Sequence, residues 1–512
     1  MRHAAGPVFQ GFELDPAASM PLHRQLHGLL RDALLSGALP AGSRLPSTRA
    51  LAADLGLSRN TVTTAFDHLH DEGLIESRIG DGTYASRLLG AAAGPHRATR
   101  PKPEVTPDDP PDDRDDPSAR SVSRRGRTIA RSVLGRDPQR PLPFALGVPA
   151  LDAFPLRTWR RILTRRARSM TATDLAHGPP AGDERLRGLI ARHLATARGV
   201  RCSAEQVLIL PSAQLGLDLA GRVLLDPGDA VWIENPGYLG ARGAFRAAGA
   251  RLVPVPVDDD GLRVDDAWRL DASARLAYVT PSHQFPLGAS MSLERRLQLL
   301  AWAEEDQAWI VEDDYDSEYR YDGKPAQALQ GLDRADRVLY LGTFSKVVFP
   351  ALRLAYLVVP ERLIELFRAA RFLLDGHVAP STQAAVADFM EGGHMVAHLR
   401  RMRTLYRTRR DVLLDEVARR FGGLFRFSGA QAGLHVTARL AHGDDRVLAA
   451  RAPAHSLDLA PLSRYLLDKA DDRGLRGRPM RVQGIAFGYG HVPPEEILAA
   501  CDRLETLLAS HR

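Results

Sequence analysis

The chain has 512 residues, 44% of them hydrophobic and 25% charged, with a net charge of +6. That is enough apolar material for two or more cores, and it excludes a low-complexity or disordered chain. Cys202 and Cys501 are its only cysteines, which excludes a disulfide framework and a cysteine-rich zinc site.

The opening residues carry no secretory-type apolar run, and nowhere do 18 apolar residues follow one another. The expected setting is the cytosol, with no membrane partner. In chain order, Leu22, Leu26, Leu29, Leu30 and Leu34 recur at helical spacing until Gly42 and Pro46 interrupt the pattern. Ser47 is a candidate N-cap for a second helix running to Leu55. After a tight turn at Gly56, Ser58 is a candidate cap for a third, RNTVTTAFDHLHDEG. Helix, short glycine turn, helix is the helix-turn-helix pattern. Two strand-like runs, 74–77 and 82–85, joined at Gly80-Asp81-Gly82, add a wing. Residues 1–88 hold eight Lys+Arg against nine Asp+Glu, so a case for DNA binding rests on position and not on bulk charge.

The string AGSRLPSTRALAADLGLSRNTVTTAFDHLHDEGLIESRIGDGTYAS resembles the winged helix-turn-helix of GntR-type bacterial repressors over nearly its whole length. The resemblance implies that Arg44, Ser47 and Arg49 approach the phosphates and bases of a double-stranded DNA operator. It also sets Ser58, Arg59 and Thr61 at the start of the recognition helix, whose N-terminal side chains reach base edges in the major groove. Gly82, with Gly80, lets the wing tip turn and come close to the minor groove.

Residues 89–140 are rich in Pro, Asp, Arg and Ser, show no apolar period and read as a flexible linker. Its acidic stretch, Asp108 to Asp116, precedes a basic one that pairs with it, with DNA, or with nothing. From 141 onward, apolar runs (QVLIL, AVWIE, RLAYVT, AWIVEDD, RVLYLG, RLAYLVV) alternate with amphipathic helical stretches. Such alternation predicts an α/β domain with a mostly parallel sheet.

Within that domain Lys346 closes the run Gly342-Thr343-Phe344-Ser345-Lys346, with Arg353 beyond it and Asp313 before it in Ile310-Val311-Glu312-Asp313-Asp314-Tyr315. Pyridoxal 5'-phosphate (PLP) needs a lysine amine for a Schiff base, a carboxylate for its ring nitrogen, an aromatic face and a cup of phosphate donors. Lys346 is the aldimine candidate, and Asp313, with Tyr315 two residues on, belongs to the ring. Thr343, Ser345 and Arg353 are placed to line the phosphate, Arg353 with a fork of donors. Ser212, Ala213 and Gln214 follow a strand and open a helix whose amides face the same phosphate. Tyr238 is placed to stack on the ring.

Residues from about 142 to 508 resemble fold-type I aminotransferases. The details GTFSK, EDDYDSEYRY and PSHQFPLG resemble the aminotransferase-like half of MocR regulators, the GntR subfamily that joins both modules. The resemblance implies a multidomain chain: a mainly α winged helix-turn-helix domain (1–88), the linker (89–140), and an aminotransferase-like effector and dimerisation domain (141–512). It implies a homodimeric transcriptional regulator that senses PLP or an amino compound at Lys346. In PSHQFP, His283 or Gln284 takes the place by the ring hydroxyl where aminotransferases put an Asn. No second ligand motif accompanies His283, so no metal is expected.

Two departures from the pattern stand out. Ala213 occupies a phosphate-cup position where relatives commonly have Gly. Ala486, in Gly484-Ile485-Ala486-Phe487-Gly488-Tyr489, stands where aminotransferases place the Arg that clamps a substrate carboxylate. Arg476, Arg478 or Arg481 is an alternative source of that charge. The missing clamp favours a sensor with at most vestigial transaminase half-reactions, responding to PLP or to an amine without a clamped carboxylate. The alternative is an active aminotransferase with an accessory DNA-binding domain.

Overall fold

The computed structural model describes residues 9, 11–78, 81–88, 123, 126, 141–321, 327–467 and 482–509. The chain divides into two compact units, Met1–Asp112 and Asp113–Arg512. Nearly all of the 89–140 linker, Gly80, and Arg476, Arg478 and Arg481 lie outside the described residues.

In the first unit, helices α1 (Leu22–Leu35), α2 (Thr48–Asp54) and α3 (Arg59–Asp71) precede strands β1 (Ile75–Arg78) and β2 (Gly82–Ala85). Both expected caps form: the Ser47 hydroxyl accepts from the Ala50 amide at 3.2 Å and that of Ser58 from the Thr61 amide at 3.1 Å. Gly56, at φ +66°, makes the turn between α2 and α3 in a left-handed conformation that a β-carbon would disfavour. Leu26, Leu30, Leu51, Val62, Leu69 and Ile75 form the buried core under the three helices and the wing.

The second unit is built on an eight-stranded sheet. Its strands are β3 (Val207–Leu210), β4 (Ala230–Asn235), β5 (Arg251–Asp258), β6 (Gly261–Leu262), β7 (Leu276–Val279), β8 (Trp309–Asp314), β9 (Val338–Thr343) and β10 (Ala355–Val358). The spatial order is β3-β10-β9-β8-β7-β4-β5-β6. The pairs β4·β5, β4·β7, β7·β8 and β8·β9 are parallel, while β10 runs antiparallel to both β3 and β9. Both faces are covered, so the strands read as continuous apolar runs whose alternate residues enter different cores. Leu208, Leu210, Leu339 and Leu341 pack into one cluster, and Val207, Ile209 and Tyr340 into another.

A second, antiparallel sheet, in the order β11-β12-β14-β13, lies further along the chain. It comprises β11 (Phe425–Ser428), β12 (His435–Leu440), β13 (Ala460–Pro461) and β14 (Gly484–Gly488). The 28-residue helix His394–Phe421 comes just before it. No helix among the described residues is long and apolar enough to cross a membrane.

Candidate cofactor pocket and DNA-reading surface

The carboxyl ends of the parallel strands converge on one cavity of about 350 Å³. This is where ligands sit in open α/β sheets, because the loops leaving the strands splay apart there. β3 delivers Ser212, Ala213 and Gln214; β4 delivers Tyr238; β8 delivers Asp313 and Tyr315. The connection from β9 to β10 delivers Thr343, Ser345, Lys346 and Arg353, and all ten residues line the cavity.

Strand alternation sorts the acidic run on β8. Glu312 accepts from the Leu329 and Gln330 amides, each at 2.9 Å, and Asp314 takes the Arg198 guanidinium at 2.9 Å and the Tyr340 hydroxyl at 2.5 Å. Both are structural. Asp313, between them, faces the cavity and accepts from the Tyr278 hydroxyl at 2.8 Å. Burial, reinforced by Asp314 and Asp316, pushes its carboxyl up to about 7 against the opposing pull of Tyr278 and Lys346.

The Lys346 amine donates to the Gly147 carbonyl. Burial lowers its pKa, with Asp316 and Asp313 resisting, so the neutral, nucleophilic form is favoured relative to a free lysine. Gly147 has φ +72°, and a β-carbon there would lie 2.8 Å from Lys346 Nζ, so the approach requires glycine. Ser212 caps the helix Ala213–Leu224, its hydroxyl accepting from the Leu215 amide at 3.2 Å. Ala213 therefore opens a regular helix despite the missing Gly. The Gln214 amide ties this end to the turn after Tyr238 through the Gly240 carbonyl at 2.9 Å. Burial pushes the Tyr238 hydroxyl up to about 12.

Arg353 adopts φ +51°, a left-handed conformation costing a non-glycine residue about 1–2 kcal/mol. Its side chain has no hydrogen-bond or ion-pair partner among the described residues, although it lines the cavity beside Thr343 and Ser345. Strain of this kind is retained where the geometry serves a site.

His283 and Gln284 do not reach the cavity wall; Phe285 does. His283 stands behind Tyr315, its Nδ1 3.1 Å from both the Tyr315 hydroxyl and Asp316 Oδ2. Burial opposes protonation of His283, but Asp316 outweighs it and raises the pKa. Gln284 is spent on Glu234 Oε2 at 3.1 Å and on the carbonyls of Pro236 and Phe285. His283 also has ligand-type neighbours that spacing did not reveal, since its ring, Asp316 and His435 offer atoms within 4.8 Å of one another. His435 is held by the Pro286 carbonyl at 3.2 Å, and burial lowers its pKa to about 3. Leu146, Gly147, Phe285, Leu434, His435, Arg464 and Tyr465 also line the wall. Apart from Phe285, which lies in the PSHQFPLG run, no motif marks them; they come from separate stretches of chain, around 146, 285, 434 and 464.

In the first unit Arg59, at the first position of α3, and Arg49, on α2, are both exposed. The Thr61 side chain is shared with the cap, its hydroxyl 2.8 Å from that of Ser58. Arg44 reaches the wing tip: its backbone bridges Tyr84 and its guanidinium donates to the Asp81 carbonyl. Gly82, at φ +129°, makes room for it, since a β-carbon would lie 3.0 Å from Arg44 Nε. Arg44 and Gly82 thus form one structure, and Arg44, Ser47, Arg49, Ser58 and Arg59 are each exposed.

Residues 22–85 match the family model of bacterial regulatory proteins of the gntR family, and residues 143–468 that of aminotransferase class I and II. The chain is 39% identical to the probable rhizopine catabolism regulatory protein MocR of Rhizobium meliloti, over 96% of this chain and 95% of that one. It is 32% identical to the HTH-type pyridoxine biosynthesis transcriptional regulator PdxR of Corynebacterium glutamicum, over 93% and 94% of the two chains. A solved structure of the kynurenine aminotransferase of Pyrococcus horikoshii matches with a TM-score of 0.68 at 25% identity, over 77% of this chain and 98% of that one. Fold and matches together define a GntR-type transcriptional regulator whose second unit is an aminotransferase-like domain. Its near-full-length likeness to regulators of the same two-part build places it within that class: the chain belongs to the MocR subfamily.

Proposed function

We propose that this regulator binds PLP in the cavity of its second unit and reads a DNA operator with its first. The observation that carries the reading is the convergence of three residues on one cavity: Lys346, Asp313 and Arg353. The residues fit the group. Arg353 brings a fork of donors without a protein partner to a capped helix N-terminus, which suits a phosphate dianion. Asp313 is buried against a tyrosine hydroxyl, where a protonated ring nitrogen would supply its counter-charge. Tyr238 offers the aromatic face, and Lys346 the amine that carries the cofactor covalently. When bound, PLP supplies a carbonyl that amines exchange onto and a ring that withdraws electrons.

The chain's own residues do the rest. Lys346 would hold the cofactor and take up a proton at its amine when displaced, Asp313 would hold a proton on the ring nitrogen, and Tyr315, propped by His283, would orient the ring edge. The likeness to regulators and the family's build support a cytoplasmic homodimer whose two DNA modules engage repeated half-sites. The effector is PLP or an amino compound, which shifts the regulator between two states by binding them unequally.

Lys346→Ala tests this reading. Borohydride treatment of the PLP-supplied wild type should fix the cofactor to the protein, and the variant should lose that adduct while basal operator binding stays measurable. An adduct retained in the variant refutes the assignment. Conversion of an amino acid and a 2-oxo acid at ordinary enzymatic rates would instead establish the alternative, an active aminotransferase.

A further inference from the structure

Ala486 leaves the usual carboxylate position without charge. It is fully buried in an apolar cluster with Val257, Leu287, Leu462 and Tyr465. Its register partner across β13·β14 is Ala460, and four residues beyond that partner the chain presents Arg464 to the cavity.

Arg464 sits on a rigid mount. It belongs to the short 3-10 turn Leu462–Tyr465, whose other three residues are buried. The Ser463 amide donates to Asp445 Oδ2 at 3.0 Å, the Tyr465 carbonyl accepts from the Gly237 amide at 3.0 Å, and the Leu467 amide donates to Asn235 Oδ1 at 2.8 Å. The neighbouring guanidiniums are spent, Arg446 on the Ser463 hydroxyl at 3.1 Å and Arg242 on the Tyr465 carbonyl. Arg464 itself has no hydrogen-bond or ion-pair partner among the described residues.

The other charges on the wall are assigned. Asp316 is held by His283, Asp313 by Tyr278, and Lys346 by Gly147. Arg353 lies with Thr343 and Ser345 on the connection from β9 to β10. Arg464 comes instead from the second sheet, beside an aromatic and apolar wall in which Phe285 meets Tyr465 edge to face at 5.1 Å.

We infer that Arg464 anchors the carboxylate of a small apolar amino acid whose amine engages the cofactor. This rests on the proposed PLP seat and reverses the expectation drawn from Ala486 alone. An Arg fork donates bidentately to a carboxylate, and an apolar body then lies against Leu146, Phe285 and Leu434. The clamp has moved from the middle strand of the second sheet to the turn beyond its edge.

The test uses the full-length protein supplied with PLP. L-Alanine and L-leucine are titrated against ethylamine and 3-methylbutylamine, the same skeletons without the carboxylate, and the change in cofactor absorbance gives an apparent affinity for each. Wild type is expected to prefer the acid in at least one pair, and Arg464→Gln to cut that preference about 10- to 100-fold while the cofactor band still forms. Arg464→Lys should restore part of it, as a point charge without the fork. No acid preference in wild type, or an unchanged preference in Arg464→Gln, overturns the inference. Loss of the band in Arg464→Gln also overturns it, by making Arg464 part of the cofactor seat. A wild type that forms no band refutes the proposed function itself.

Discussion

Gly147 shows how much of a site can hang on a missing β-carbon. It is 199 residues from Lys346 in sequence, and its carbonyl accepts a hydrogen bond from the lysine amine at an approach that a β-carbon would crowd. Gly147→Ala meets two costs: a left-handed alanine loses about 1 kcal/mol, and the new methyl must displace the amine. The variant should bind PLP more weakly than wild type in an absorbance titration, with the apparent Kd rising roughly tenfold; an unchanged Kd would contradict the contact. Residues of this kind explain where the sequence was legible and where it was not. Lys346, Asp313 and Arg353 stand in short runs whose chemistry is local, so their shared place in one cavity could be read. Gly147, Phe285 and Arg464 acquire their roles only from neighbours that the fold brings in from elsewhere, and His283 was misplaced by one layer because spacing does not say which residue of a turn faces inward.

Among the elements, the apolar runs that mark β3, β4, β7, β8, β9 and β10 are unambiguous, since a sheet covered on both faces needs no polar alternation. β5 escaped because Pro254 and Pro256 interrupt its ladder. The structure tolerates them since β6 pairs only with Val257 and Asp258, leaving that edge of β5 unpaired along the prolines. Three helices also meet at one carboxylate that gives equally little signal in the sequence. Asp388, on the helix Pro380–Glu391, receives Arg165 at 2.9 Å, Arg185 at 2.8 Å and a two-point contact from Arg166, joining three helices. Burial alone would raise its pKa, but Arg166, Arg165 and Arg185 hold it well below the usual carboxylate range. A depressed folded-state pKa means that the stabilisation is present above the unfolded value near 3.9 and is lost as pH falls through the folded one. Asp388→Asn should therefore cost about 1–3 kcal/mol at pH 7, discounted because the arginines are partly exposed, and should flatten the acid limb of stability below about pH 4. Denaturant unfolding at pH 7 and pH 3 checks this: equal losses at both would remove the charge from the explanation.

At the scale of the whole molecule, two cores are joined by residues 89–140, whose composition reads as a flexible linker. In the homodimer proposed above, its length would set how far apart two DNA modules can stand. Removing about half of residues 89–140 should narrow the half-site spacings that a purified protein binds, measured by gel shift on operators of graded spacing. Identical spacing profiles in both proteins would disprove the tether's role. Where the chain leaves that tether it is stitched into the second unit at once: the Leu142 carbonyl takes His491, Phe144 pairs with Gly488, and the Gly147 carbonyl takes Lys346. Two of those stitches are fixed by backbone and ring geometry, whereas the third depends on protons that a covalent partner of Lys346 would claim. If Lys346 carries the cofactor as proposed, the first few residues past the linker end at a contact that binding would undo.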